Sequence, residues 1–199
     1  NLVSQMQAMQ ASSAAAIVRP AWNDKVLIKR ILDAGAQSII VPYVQNASEA
    51  EAAVAATRYP PEGVRGVAGS TRASHYGRNK SYLHTASDEI AVIVQIETAE
   101  ALSNIDAIAA VDGVDSIFIG PSDLSASLGH IGNAEHPDVQ DAIKTAITKL
   151  KAVGKAGGIL AFNPDHAKRY IDWGFQFIAV GSDLSMIING SDKLVQQFK

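Results

Sequence analysis

Short β-branched runs, each followed by a longer stretch with helical spacing, recur from one end of this 199-residue chain to the other. The runs are Ala15–Arg19, Ser38–Val44, Val64–Val67, Ala91–Glu97, Ser116–Gly120, Gly157–Leu160 and Phe177–Gly181. Several are apolar on both faces, as in Ile39-Ile40-Val41 and Ile117-Phe118-Ile119, and a strand without a polar face has to be covered on both sides. Between them, Glu49–Tyr59, Ala99–Ala110, Pro137–Val153 and Asp165–Trp173 carry Ala, Leu, Ile and Lys at the spacing of a helix. Strand and helix in strict alternation specify a parallel α/β sheet, because parallel neighbours need a long crossover between them.

Seven strands are expected, and before the first of them Leu2, Met6 and Met9 already stand at i, i+4 and i+7 with no capping residue ahead. The economical arrangement is one domain over residues 1–199, a (β/α)8 TIM barrel whose first strand and part of whose first helix are absent from the chain. At 199 residues the chain is shorter than the roughly 250 typical of that fold. An open doubly wound sheet is the alternative. No Gly-x-Gly-x-x-Gly follows an early strand, so its dinucleotide-binding form has no support.

A formal net charge of -3 provides no basic field for nucleic acid or anionic lipid. No apolar run approaches the ~18 residues of a membrane span, and no basic-then-apolar leader opens the chain, so neither nucleic acid nor membrane is expected as a partner and the cytoplasm is the default location. With no cysteine there is no disulfide, thiolate nucleophile or cysteine metal site.

Barrel enzymes carry their chemistry at the C-terminal ends of the strands. In Ala91-Val-Ile-Val-Gln-Ile-Glu97 the two-residue period puts Gln95 and Glu97 on one face, with Val94 and Ile96 on the other. Both polar groups are expected to face inward. Asp123 follows the next strand after a Gly-Pro turn, and Arg19 ends the first visible strand beside the ladder-breaking Pro20. Two carboxylates converging in a partly buried site repel unless one is protonated or a cation lies between them. An all-oxygen pair suits magnesium, manganese or cobalt. The same residues also read as a strand-end hydrogen-bonding pair or helix cap, with Arg19 as salt-bridge partner.

Four segments in this order, Val18-Arg-Pro-Ala-Trp-Asn-Asp24, Thr57-Arg-Tyr-Pro-Pro-Glu-Gly-Val-Arg-Gly66, Val94-Gln-Ile-Glu97 and Gly120-Pro-Ser-Asp-Leu124, resemble the 4-hydroxy-2-oxoheptanedioate aldolases, class II pyruvate aldolases, over essentially the whole chain. The resemblance implies metal-dependent cleavage of that substrate to pyruvate and succinate semialdehyde. It implies a divalent ion (Mg, Mn or Co) on Glu97 and Asp123, contacts to the pyruvate portion from Gln95, Ser122 and Asp123, and Arg19 stabilising charge on its oxygens. Asp33 would support the family's catalytic histidine, its other reading being a solvated helix charge. The substrate's distal carboxylate is a candidate partner for Arg72. A homo-oligomer is also implied, a hexamer of dimers that exchange a terminal helix, with Ser191–Lys199 as a contributor.

One departure stands out. The family's histidine sits in an Asp-Gly-Glu-His motif after the first strand, and this sequence has none, which is expected if the chain omits residues of the natural protein. Among the five histidines present, His75 and His84 fall in the polar stretch after Val64–Val67, either near the mouth or solvated. His130 and His136 flank a Gly-Asn turn, where packing or subunit contact is expected, and His166 falls on a helix face. Trp22 reads as a mouth-closing residue or, more simply, a buried aromatic. No lysine ends a strand, against Schiff-base chemistry. Competing readings are a 2-dehydro-3-deoxyglucarate aldolase, a phosphate-binding isomerase using the Val180-Gly181-Ser182 turn, and a non-catalytic small-molecule-binding barrel.

Overall fold

The most apolar of the runs form the centre of the sheet in the computed structural model, which describes residues 2–199. In chain order the elements are α1 (Leu2–Met9), β1 (Ile17–Val18), α2 (Lys25–Asp33), β2 (Ser38–Val41), α3 (Ala47–Thr57), α4 (Tyr82–Glu89), β3 (Ala91–Ile96), α5 (Ala99–Ser103), α6 (Ile105–Ala109), β4 (Ser116–Ile119), α7 (Pro121–Ser127), α8 (Pro137–Ala152), β5 (Ala156–Leu160), α9 (Pro164–Trp173), β6 (Phe177–Ala179) and α10 (Asp183–Gln197). All strands are parallel, and each pairs with its neighbour in sequence, in the order β1 to β6.

The expected closed (β/α)8 TIM barrel is corrected by this topology. Among the described residues the sheet has six strands, not eight, and curls into a half-barrel with β1 and β6 as its edges. One expected strand fails for a local reason. At Val64–Val67 the valines are exposed and Arg65 between them is buried, the inverse of a core strand. The N–H of Val64 donates to Ala55 at 2.8 Å and that of Arg65 to Arg58 at 2.9 Å, so the backbone is spent on the end of α3 rather than on a ladder. Closure also needs the outer strands to pair, and they are only two and three residues long.

Alternation along each strand divides the sheet into two faces. Ile39, Val41, Val92, Val94, Ile96, Ile117, Ile119 and Ile159 pack outward against Ile28 and Leu32 of α2 and Ile143, Ile147 and Leu150 of α8. Each such side chain contributes about 1.5–3 kcal/mol through removal from water. On the opposite, concave face lie Ile93, Gln95, Phe118 and Phe177. Register places Gln95, Phe118, Gly158 and Phe177 at one level across four strands. The two phenylalanine rings meet there, 5.5 Å apart, over Gly158, where a Cβ would fall 2.7 Å from one ring and 2.8 Å from the other.

Side-chain caps fix the loops at the C-terminal edge of this sheet. Asp24, Asn46, Thr98, Asn163 and Ser182 each accept a backbone N–H from the first turn of the helix that follows. The strand-to-helix connections, where chemistry would sit, are therefore short and pinned. No helix among the described residues is long and apolar enough to cross a membrane.

Candidate active site

Glu97 is the residue that leaves β3, and the two-residue period carries it to the same face as Gln95. Its side chain is held from two sides. Gln95 Nε2 donates to Oε2 at 2.6 Å, and the Tyr43 backbone N–H, just past β2, donates to Oε1 at 3.1 Å. Tyr43 takes a left-handed conformation (φ 58°), uncommon for an aromatic residue, in presenting that N–H. From the first turn of α7, Asp123 comes within hydrogen-bonding reach of Glu97.

Space for this cluster is kept by Gly120. A Cβ there would lie 2.6 Å from Glu97 Oε2 and 2.9 Å from Gln95 Nε2. The Gly-Pro step therefore does more than turn the chain: it starts α7 with proline at its first turn and leaves the carboxylate room.

Glu97 is 4% exposed. Burial holds its carboxyl above the usual carboxylate range, and the hydrogen bond and repulsion from Asp123 push the same way, against the hydrogen bonds from Gln95 and Tyr43. Two carboxylates in contact in such a setting share a proton or a cation. An all-oxygen pair with open positions is the donor set of a hard divalent ion, so the residues fit one.

Other expected site residues divide by edge. Arg19 directly follows β1 at the same edge and is exposed; it is not among the groups that act on Glu97, so the expected salt-bridge alternative does not form. Ser122 is exposed and lines a cavity with Asn133, Leu160, Phe162 and His166. His166, read from sequence as a helix-face residue, thus borders the mouth, where its Nδ1 pairs with Glu135 at 3.0 Å. Trp22 is 53% exposed rather than buried and stacks on Tyr43, ring centroids 5.4 Å apart.

Asp33 and Arg72 lie at the opposite edge. A helix returning from a strand runs antiparallel to it, so the last turn of α2 falls beside the start of β2. There Arg65 holds Asp33 at 2.9 Å with Lys29 also paired, and Arg72 donates to the carbonyl of Ala34 at 3.1 Å. The structure does not bring either residue together with Glu97. His75 shares that edge, lining a cavity with Gly35 and Arg72. Lys155 is tied to the carbonyl of Val114 before β5 begins. Sequence reasoning missed Tyr43 and Gly120: the first acts through its backbone, and the second carried a signal in its place between a β-strand and a proline.

Parallel strands that end in polar side chains at a single edge define a class, the α/β enzymes whose chemistry sits on strand-to-helix loops. The sequence model of the HpcH/HpaI aldolase/citrate lyase family matches residues 1–190. The chain is 51% identical over 198 residues to a 4-hydroxy-2-oxo-heptane-1,7-dioate aldolase of Salmonella dublin, spanning 99% of this chain and 75% of that one. An HpcH/HpaI aldolase/citrate lyase family protein from Burkholderia cenocepacia J2315 superposes with a TM-score of 0.95 at 38% identity, over 99% of this chain and 79% of the other. The HpcH/HpaI aldolase from Desulfitobacterium hafniense DCB-2 follows at 0.89 and 29%, over 100% and 77%. This chain belongs to the HpcH/HpaI aldolase/citrate lyase family, a family of lyases, in agreement with the resemblance its motifs carry.

Proposed function

We propose that the protein reversibly cleaves 4-hydroxy-2-oxoheptanedioate to pyruvate and succinate semialdehyde, with a divalent ion on Glu97 and Asp123. The observation that carries this reading is exposed Asp123 within hydrogen-bonding reach of buried Glu97, a pair of carboxylates that calls for a shared proton or a cation. Its relatives' names supply the substrate. When bound, a magnesium, manganese or cobalt ion supplies Lewis-acid polarisation of the substrate's 2-oxo group.

The chain's own residues do the rest. Gln95 and the Tyr43 N–H fix the Glu97 carboxylate before any ligand arrives, so its position costs no reorganisation during reaction. Ser122 and Gln95 contact the pyruvate portion. As the C4 hydroxyl loses its proton to a base and the C3–C4 bond breaks to release the semialdehyde, Arg19 offsets the negative charge that grows on the enolate oxygens, and return of a proton to C3 gives pyruvate. Trp22 and Tyr43, stacked on one another, form an aromatic wall beside Glu97.

Copies of the chain associate through α10 and the residue that caps it, where Leu184, Met186, Ile187, Leu194 and Phe198 are all more than half exposed. The assembly suggested by the family is a hexamer, and light scattering of the purified protein tests it.

The activity is tested by pyruvate release from 4-hydroxy-2-oxoheptanedioate before chelation, after it, and after each metal is restored. Turnover that stops with chelation and returns with metal supports the proposal, whereas turnover indifferent to chelation contradicts it. Repeating the assay with 2-dehydro-3-deoxyglucarate separates the two aldolase readings.

A further inference from the structure

Away from the Glu97 pair, the loop between α7 and α8 brings together three side chains of a different chemistry. His130 and His136 stack face to face, ring centroids 3.5 Å apart and planes 11° from parallel. Asp138 reaches both: its Oδ2 lies 3.3 Å from His130 Nε2 and 3.7 Å from His136 Nδ1. One donor atom from each of the three falls within 4.8 Å of the other two. Donors about 2.0–2.1 Å from a tetrahedral zinc-like ion are separated by roughly 3.4 Å, close to the two spacings made by Asp138, and an ion would turn the stacked imidazoles out of parallel so that both in-plane lone pairs meet it.

The backbone imposes this arrangement. His130 N–H donates to Ser125 at 2.7 Å, Asn133 N–H returns to His130 at 2.9 Å, and His136 N–H to Asn133 at 3.1 Å, folding the segment into consecutive turns. Glu135, between the histidines, is anchored to α9 by Arg169 at 2.6 Å and by His166. A loop so pinned loses little conformational entropy when it takes a ligand. The Nδ1 of His136 also accepts the Asp138 backbone N–H, at 3.3 Å, a long capping bond that a metal bond would replace.

We propose that His130, His136 and Asp138 form a second metal site, selective for a borderline transition ion of the zinc class, separate from the all-oxygen pair on Glu97. Two imidazoles and one carboxylate favour zinc, cobalt, nickel or copper over magnesium. The consequence is positional. Gly132, Asn133, Ala134 and Glu135 line the same cavity as Ser122, so an ion here fastens one wall of the mouth.

The test is calorimetric titration of Zn2+ into metal-stripped protein in saturating Mg2+, which occupies the carboxylate pair. Wild type is expected to bind one Zn2+ with a raised melting temperature. His130→Ala should weaken that binding by at least about tenfold, the lower bound of what even outer-shell partners are worth, and Glu97→Gln should leave it unchanged. His136 caps α8, so Asp138→Asn, an exposed position, serves as the second variant and should weaken binding likewise. Zn2+ affinity unaltered in both His130→Ala and Asp138→Asn, or lost in Glu97→Gln, overturns the proposal and leaves the cluster as a helix cap with an ion pair.

Discussion

The two edges of the sheet treat a carboxylate in opposite ways. At the N-terminal edge Asp33 meets two cations, Arg65 and Lys29, and Arg65 lies between Tyr59 and Tyr82, its guanidinium 4.5 Å from the Tyr59 ring centre. The carboxylate there is fully compensated by positive charge. At the C-terminal edge Glu97 is more buried, yet its partners are an amide, a backbone N–H and another carboxylate. The first edge is built as a closed structural pair, the second as a cluster left short of positive charge. Uncompensated charge in a cleft is a functional signature, where compensated charge is only fold.

That contrast is open to direct attack. The largest effect on stability belongs to Asp33→Asn, which leaves Arg65 buried with Nε and Nη1 already unpartnered. A loss of about 3–5 kcal/mol is expected by urea unfolding, with the metal affinity of the folded protein unchanged. Glu97→Gln should do the reverse. The glutamine still accepts from Tyr43 and donates to Asp123, and a flip of the Gln95 amide turns its oxygen toward the new NH2, so the metal-free protein is no less stable, while metal affinity and turnover fall more than about 100-fold. Equal destabilisation by both substitutions would erase the distinction.

Gly120→Ala probes the same edge without touching a charge. The new methyl displaces the Glu97 carboxylate and should weaken metal binding by about tenfold while the fold survives, as circular dichroism would show. A smaller effect is expected from Trp22→Ala, which removes a wall of the mouth: KM rises about two- to tenfold with kcat unchanged, by steady-state kinetics.

The pH dependence of the metal-free protein follows from Glu97 as well. Its folded-state carboxyl sits above the unfolded value, so the folded chain retains a proton that the unfolded chain has lost. This contribution to stability is complete below the ordinary glutamate pKa and disappears as pH rises through the raised value. Melting temperatures of wild type relative to Glu97→Gln should therefore fall as pH rises through that window. A difference that does not vary with pH would remove Asp123 and burial as its cause.

Much of this was legible in the chain. The period of two in Val94-Gln95-Ile96-Glu97 was enough to place both polar groups on the concave face, because a strand admits no other alternation. The edge on which Asp33 and Arg72 fall was not legible from their residue types. Asp33 stands five residues before β2 begins, and that connection crosses the far edge of the sheet. Val64-Arg-Gly-Val67 has the composition of a strand, but nothing local reveals that Arg65 will be buried between two tyrosines. The eight-stranded closure rested on counting that run.

The central claim, that Glu97 and Asp123 together hold a divalent ion, is tested most directly by titrating Mg2+ into metal-stripped wild type, Glu97→Gln and Asp123→Asn at neutral pH. The account predicts one bound ion in wild type and none measurable in either variant, all three remaining folded. Binding of equal strength and stoichiometry in the three proteins would contradict it.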